Sequence, residues 1–165
     1  ISYLLTPATV CLAVPLYEQL ELLKKNKVAV VCGILSGTLA SLTGIFVLCM
    51  LFGFNHQQYV TMLPKSITTA IGIGISEELG GIVTITVAVI IITGILGNVI
   101  ADTVFHIFKI KNPLAKGLAL GTASHAIGTA RAIEMGPVEG AMSSLAVAVA
   151  GLLTVVFVSG FAQLI

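Results

Sequence analysis

Charge is scarce in this sequence. Only 9% of its 165 residues are Asp, Glu, Lys or Arg, whereas a soluble domain carries about 25%. With 57% hydrophobic residues and a mean hydropathy of +1.10, most of the surface must have lipid as its solvent. Eight scattered cations and a net charge of +1 cannot build a basic face that tracks phosphates, which excludes a nucleic-acid partner. Trp is absent, and Cys11, Cys32 and Cys49 stand far apart in apolar context. They form neither a disulfide framework nor a CxxC site and are expected to pack as small apolar residues. There is no P-loop, no His pair at metal spacing and no GxSxG elbow, and Gly72-Ile73-Gly74 is a lone GxG within a membrane segment. Neither an enzyme nor a cofactor is expected. No initiator Met is present and Ile1 falls in mid-pattern, so a preceding amino-terminal portion is expected.

What is present is long apolar runs. Residues 1–17 are apolar but interrupted by Pro7 and Pro15, which predicts a kinked or split element. Residues 18–27 read as a polar loop with Lys24, Lys25 and Lys27. Residues 28–53 and 82–108 are each long enough to span the hydrocarbon core. Along the first, Gly33, Gly37, Ala40 or Ser41, and Gly44 recur at helical spacing and predict close helix packing. Phe54–Thr61 reads as a second loop, and Pro137 as the start of a final helix reaching about residue 163.

Loop charge adds topology. Short Lys-rich loops stay in the cytoplasm, which places residues 18–27 and the connector carrying Lys109, Lys111 and Lys116 on one side. Helix 28–53 then runs outward and helix 82–108 inward, so residues 63–79 must start and finish outside. Their Pro, Gly and Thr content suits a re-entrant hairpin. An offset of 59 residues aligns Thr9 with Thr68, Glu18 with Glu77 and Val28-Ala29-Val30 with Val87-Ala88-Val89. This reads as an inverted repeat, because the two following helices are expected to run in opposite directions.

The candidate site centres on residues 117–136, where Thr122, Ser124, His125, Gly128, Thr129 and Arg131 interrupt the apolar pattern. Arginine near the bilayer centre costs about 2.5–3.5 kcal/mol on insertion scales, so it normally faces protein, water or an anion. On an unbroken helix His125 and Arg131 lie about 120° apart. They can meet on one ligand only across a break, for which Gly128 is placed, and a break frees backbone N–H groups for an anion. The alternative is an edge arginine that pairs with Glu134 or Glu139. Lys65, Ser66, Thr68 and Thr69 would be the matching half from the other hairpin, or would satisfy its broken backbone. Asn98, Asp102 and His106 form one polar stripe, readable as proton coupling or as a solvated helix end.

With these residues in view, the chain resembles the LrgB/CidB family of antiholin-like membrane proteins, related to the plastid glycolate/glycerate transporter. The likeness is carried by Pro7-Ala8-Thr9, Ala13-Val14-Pro15-Leu16-Tyr17, Leu63-Pro64-Lys65-Ser66 with Thr68-Thr69, and Ser76-Glu77 with Gly80-Gly81-Ile82. Above all it rests on the run from Lys116 to Arg131, followed by Glu139-Gly140-Ala141 and Ser143-Ser144-Leu145-Ala146. Ala70-Ile71-Gly72-Ile73-Gly74 is more glycine-rich than that pattern.

The resemblance implies an all-α membrane protein, a polytopic bundle with discontinuous or re-entrant helices. Residues 1–165 would form one integral membrane domain in the bacterial plasma membrane, and family members carry further amino-terminal membrane segments. Two functions are implied: carriage of small monocarboxylates such as glycolate, glycerate or pyruvate, or regulation of murein hydrolase export and lysis. The expected partners are the lipid bilayer, a small carboxylate, an LrgA/CidA-type holin-like protein and a second copy of the chain.

Overall fold

The computed structural model describes residues 17–165; residues 1–16 of the expected kinked segment, with Cys11, lie outside them. The described elements are α1 (Leu20–Lys25), α2 (Lys27–Phe52), α3 (His56–Met62), α4 (Thr69–Glu78), α5 (Val83–Ile107), α6 (Pro113–Met135) and α7 (Pro137–Ala162). Helices α2, α5 and α7 are long and apolar enough to cross a membrane. Their bounds fall within a residue or so of those expected, because length and apolarity alone set a span.

The two expected loops are helical instead. Residues 18–27 contain α1, and Phe54–Thr61 contains most of α3. At α3, Asn55 accepts the Gln58 N–H at 2.9 Å while the Asn55 N–H donates to the Gln58 side chain at 3.0 Å. This reciprocal cap satisfies the free donors of a short helix, and Tyr59 and Val60 bury its inner face.

Helices α3 and α4 form a hairpin around the break at 63–68. The chain after α4 comes back beside the last turn of α3 at Thr61. The Ile82 N–H donates to Thr61 Oγ1 at 2.8 Å, and the Thr86 hydroxyl lies 2.9 Å from the Thr61 carbonyl and 2.8 Å from Ser76 Oγ.

A second hairpin lies inside α6. His125 has φ 44° and ψ −140°, and the chain reverses there. A Cβ built on Gly128 would sit 2.9 Å from the Leu120 carbonyl oxygen, although eight residues of straight helix span about 12 Å.

Contacts fix the directions. Gly33 faces Leu118 and Gly37 faces Thr122, while Gly117 meets Glu139 and Gly121 meets Ser143, so α2, the first arm of α6 and α7 run the same way. Helix α5 runs against them, with Asp102 beside Arg131 near the mouth of the second hairpin and Thr86 beside the first. Three apolar clusters form among the described residues: Leu42, Ile45, Tyr59 and Val158 beside the first hairpin, Val30, Ile34, Leu118 and Ala146 between α2, α6 and α7, and Ala101, Phe105, Leu120 and Ala132 between α5 and the two arms of α6.

A helix followed by a hairpin therefore occurs twice, in opposite orientation. A step of 56 residues carries Lys27 onto Val83, and one of 57 carries Asn55 onto Asn112, each asparagine capping its hairpin. The step is slightly shorter than the 59 residues read from identities, and the partner expected for Thr68, Thr9, lies outside the described residues.

With native cysteines replaced, Gln57→Cys and Leu79→Cys are expected to react with an impermeant thiol reagent from outside, and Asn112→Cys only after permeabilisation. Labelling of position 79 from the cytoplasm alone would turn 63–79 into a crossing.

Candidate functional site

The two hairpin tips meet beside the middle of α2. Helical spacing puts Gly37 and Ser41 one turn apart on one face, and each receives one tip. A Cβ on Gly37 would lie 2.8 Å from Thr122 Oγ1, so only a glycine lets the second hairpin this close. At Ser41 the hydroxyl donates to Ser66 Oγ at 3.0 Å. The Lys65 ammonium donates to Ser66 Oγ at 2.8 Å and reaches Ser41 Oγ at 3.4 Å.

From this point a groove of about 890 Å3 runs between α2 and the first arm of α6. Asn26 and Asn112 line one end of it, on the side of the Lys-rich connectors, and Ser41, Lys65, Ser66 and Thr122 line the other. Among the described residues that line it, Lys65 alone carries a formal charge. The Lys65 ammonium is met there by the neutral hydroxyls of Ser41 and Ser66, so its charge is satisfied by dipoles alone.

The expected site residues divide into two groups. Lys65, Ser66 and Thr122 line the groove. Thr122 also returns its hydroxyl to the Leu118 carbonyl at 2.8 Å, a local bond that replaces solvent for a buried side chain. Thr68 and Thr69 open the return arm α4; Thr68 is in extended conformation, and its side chain makes no capping bond.

The remaining candidates fasten the second hairpin. The His125 Nε2–H donates to the Ile90 carbonyl at 2.9 Å, Asn98 donates to the Ile127 carbonyl at 3.1 Å, and Arg131 is paired with Asp102 and, at 2.6 Å, with Glu134. Thr129 donates to the His125 carbonyl at 3.0 Å and shares a 2.8 Å bond with Ser143. Ser124 is buried against Gly97.

The break falls at His125, three residues before Gly128. The polar contacts of His125 and Arg131 go to protein here, and the Arg131–Glu134 pair is the one expected of an edge arginine. A non-glycine residue at positive φ stores strain, and the Ile90 carbonyl is the partner that holds His125 there. Of the Asn98, Asp102 and His106 stripe, the first two clamp α6 and His106 is exposed.

Ser41 was read from sequence as part of a packing stripe. Its hydroxyl, in a row otherwise made of Gly and Ala, is the signal that separates a site residue from a packing residue.

Arg131→Lys and Asp102→Asn are accordingly expected to leave carboxylate affinity unchanged. Asp102→Asn should speed hydrogen exchange across residues 126–135, because it removes one of three clamps. A loss of affinity in Arg131→Lys with unchanged exchange would return the arginine to the binding site.

The model of the LrgB-like family matches residues 1–164. The chain is 42% identical over 161 residues to the antiholin-like protein LrgB of Bacillus cereus strain B4264, covering 98% of this chain and 70% of the relative. The antiholin-like protein LrgB of Bacillus anthracis strain A0248 matches with the same identity and coverage. No solved structure matches the chain.

Proposed function

Because the chain belongs to the LrgB-like family, we propose that it is an antiholin-like protein of the bacterial plasma membrane whose molecular activity is passage of a small monocarboxylate past Lys65. The antiholin-like part of this reading is supported by the names of the Bacillus relatives. It implies a holin-like membrane partner and an influence on murein hydrolase export and lysis.

The transport part is carried by one observation: a single cation at one end of a groove, between two oppositely oriented hairpin tips. Discontinuous elements meeting at mid-depth are how inverted-repeat transporters build a substrate site. One ammonium with the Ser66 hydroxyl beside it suits one carboxylate, whose second oxygen can accept from Ser66. Glycolate, glycerate and pyruvate have this charge and size.

Uptake of labelled glycolate, glycerate and pyruvate into proteoliposomes containing the chain tests the reading. Saturable uptake with mutual competition is the expected result. No uptake above empty liposomes, together with retained binding to a holin-like partner, would leave the antiholin-like role and remove transport from it.

A further inference from the structure

A second pocket, of about 430 Å3, lies outside the groove where α5 ends and α6 begins. Lys109, Lys111 and Lys116 line it together with Asp102 and His106, and Phe105 and Ile110 form its apolar wall. Among the described residues none of these lysines is in an ion pair, while Asp102 is already engaged by Arg131. The pocket therefore presents three lysines outside any ion pair, beside an Asp102–Arg131–Glu134 cluster in which one cation serves two carboxylates. Lys116 is held over the Phe105 ring, 5.8 Å from its centroid, which aims its ammonium across the pocket.

The backbone carries a second, independent observation. Helix α5 ends with Lys109 at φ 54°, its N–H donating to the His106 carbonyl at 3.2 Å and the Ile110 N–H donating to the Phe105 carbonyl at 2.8 Å. This paired pattern is the turn that usually places glycine at the left-handed position. Here a lysine occupies it, so the charge is kept where the backbone favours its loss.

The surroundings decide what the cations meet. Ile107 and Phe108, directly before Lys109, are 65% and 71% exposed, and Val99 and Ile100 continue the exposed apolar face of α5. An apolar wall running into a lysine pocket matches a lipid, with acyl chains along the wall and headgroup among the ammonium groups. A dissolved anion has no use for that wall. Basic pockets between helices on the cytoplasmic side hold anionic headgroups in this way.

We propose that this pocket binds the phosphate headgroup of an anionic phospholipid of the cytoplasmic leaflet. The bound lipid bridges the end of α5 to the first arm of α6 and so braces the hairpin that walls the groove.

The test titrates phosphatidylglycerol into the purified chain in phosphatidylcholine nanodiscs or mixed micelles and reads thermal stability. Wild type should be stabilised saturably, as any ligand of the folded state stabilises it. Each lysine near a charged surface contributes about fivefold in affinity, so Lys109→Gly should need about fivefold more phosphatidylglycerol, and Lys109, Lys111 and Lys116 all changed to Gln roughly a hundredfold more. In pure phosphatidylcholine Lys109→Gly should be at least as stable as wild type, because the turn is relieved. Changing Lys24, Lys25 and Lys27 to Gln should leave the titration unchanged. Equal weakening by both triple variants would reduce the effect to general surface charge and overturn the site. Equal stabilisation by inorganic phosphate would overturn the lipid. Should the triple variant fail to insert, a photoactivatable phosphatidylglycerol on wild type decides: attachment within residues 102–116 is expected, and attachment spread equally over residues 20–27 refutes the pocket.

Discussion

Lys65→Gln is expected to weaken carboxylate binding by about ten- to a hundredfold and to bring proteoliposome uptake down to that of empty vesicles. A hydrogen bond to a charged group contributes about 1.5–3 kcal/mol, and each 1.4 kcal/mol is a factor of ten. No second cation among the described groove residues can substitute for it. The hydroxyls of Ser41 and Ser66, both within reach of Lys65 Nζ, would remain to bond an anion without neutralising it. Lys65→Arg keeps the charge but replaces a compact ammonium by a longer planar group, so partial affinity is expected. Calorimetric titration with glycolate on variants first shown to be folded and inserted reads all of these. Wild-type affinity in Lys65→Gln would remove this end of the groove from the binding site.

Gly128→Ala is expected to destabilise the fold although it raises helix propensity. In an ordinary helix the change gains about 1 kcal/mol. Here the new Cβ would lie 2.5 Å from Ser124 Cβ and 2.9 Å from the Leu120 carbonyl oxygen. The second of these is backbone and cannot swing aside, so the two arms of the hairpin must separate. Overpacking of this kind costs about 1–3 kcal/mol, which lowers Tm by roughly 5 °C in a chain of this length. Gly44→Ala is the control, since nothing lies within 4 Å of its added Cβ and the substitution should be neutral or stabilising. Thermal stability by size-exclusion chromatography separates them. Equal behaviour of the two variants would mean that the α6 arms are not packed against each other at this position.

The gap between Gly128 as a hinge and Gly128 as a contact shows where sequence reasoning stops. Propensity points to glycine for any reversal, because it adopts positive φ without cost. The chain reverses three residues earlier, at a histidine, because the Ile90 carbonyl on α5 accepts its Nε2–H and that partner is 35 positions away. The glycine is then needed one turn later for close approach. The offset repeat was legible for a related reason: equivalent helices and equivalent hairpins need similar residues. Its step came out slightly long because Val and Ala match one another by chance in apolar helices.

The sequence by itself determined the three helices long and apolar enough to cross a membrane. These follow from a one-dimensional quantity, apolar length against bilayer thickness. It also determined that residues 117–136 interrupt the bundle, since their polar side chains cannot face lipid. Only the tertiary structure decided which of two buried-sequence cations would face the groove. Lys65 and Arg131 both lie on hairpins of similar pattern, but a helical side chain's direction depends on what its neighbours offer. Asp102 and Glu134 take Arg131 toward α5, while Ser41 and Ser66 offer Lys65 only hydroxyls. Charge pairing across elements is a three-dimensional property, and it leaves the lysine facing the groove.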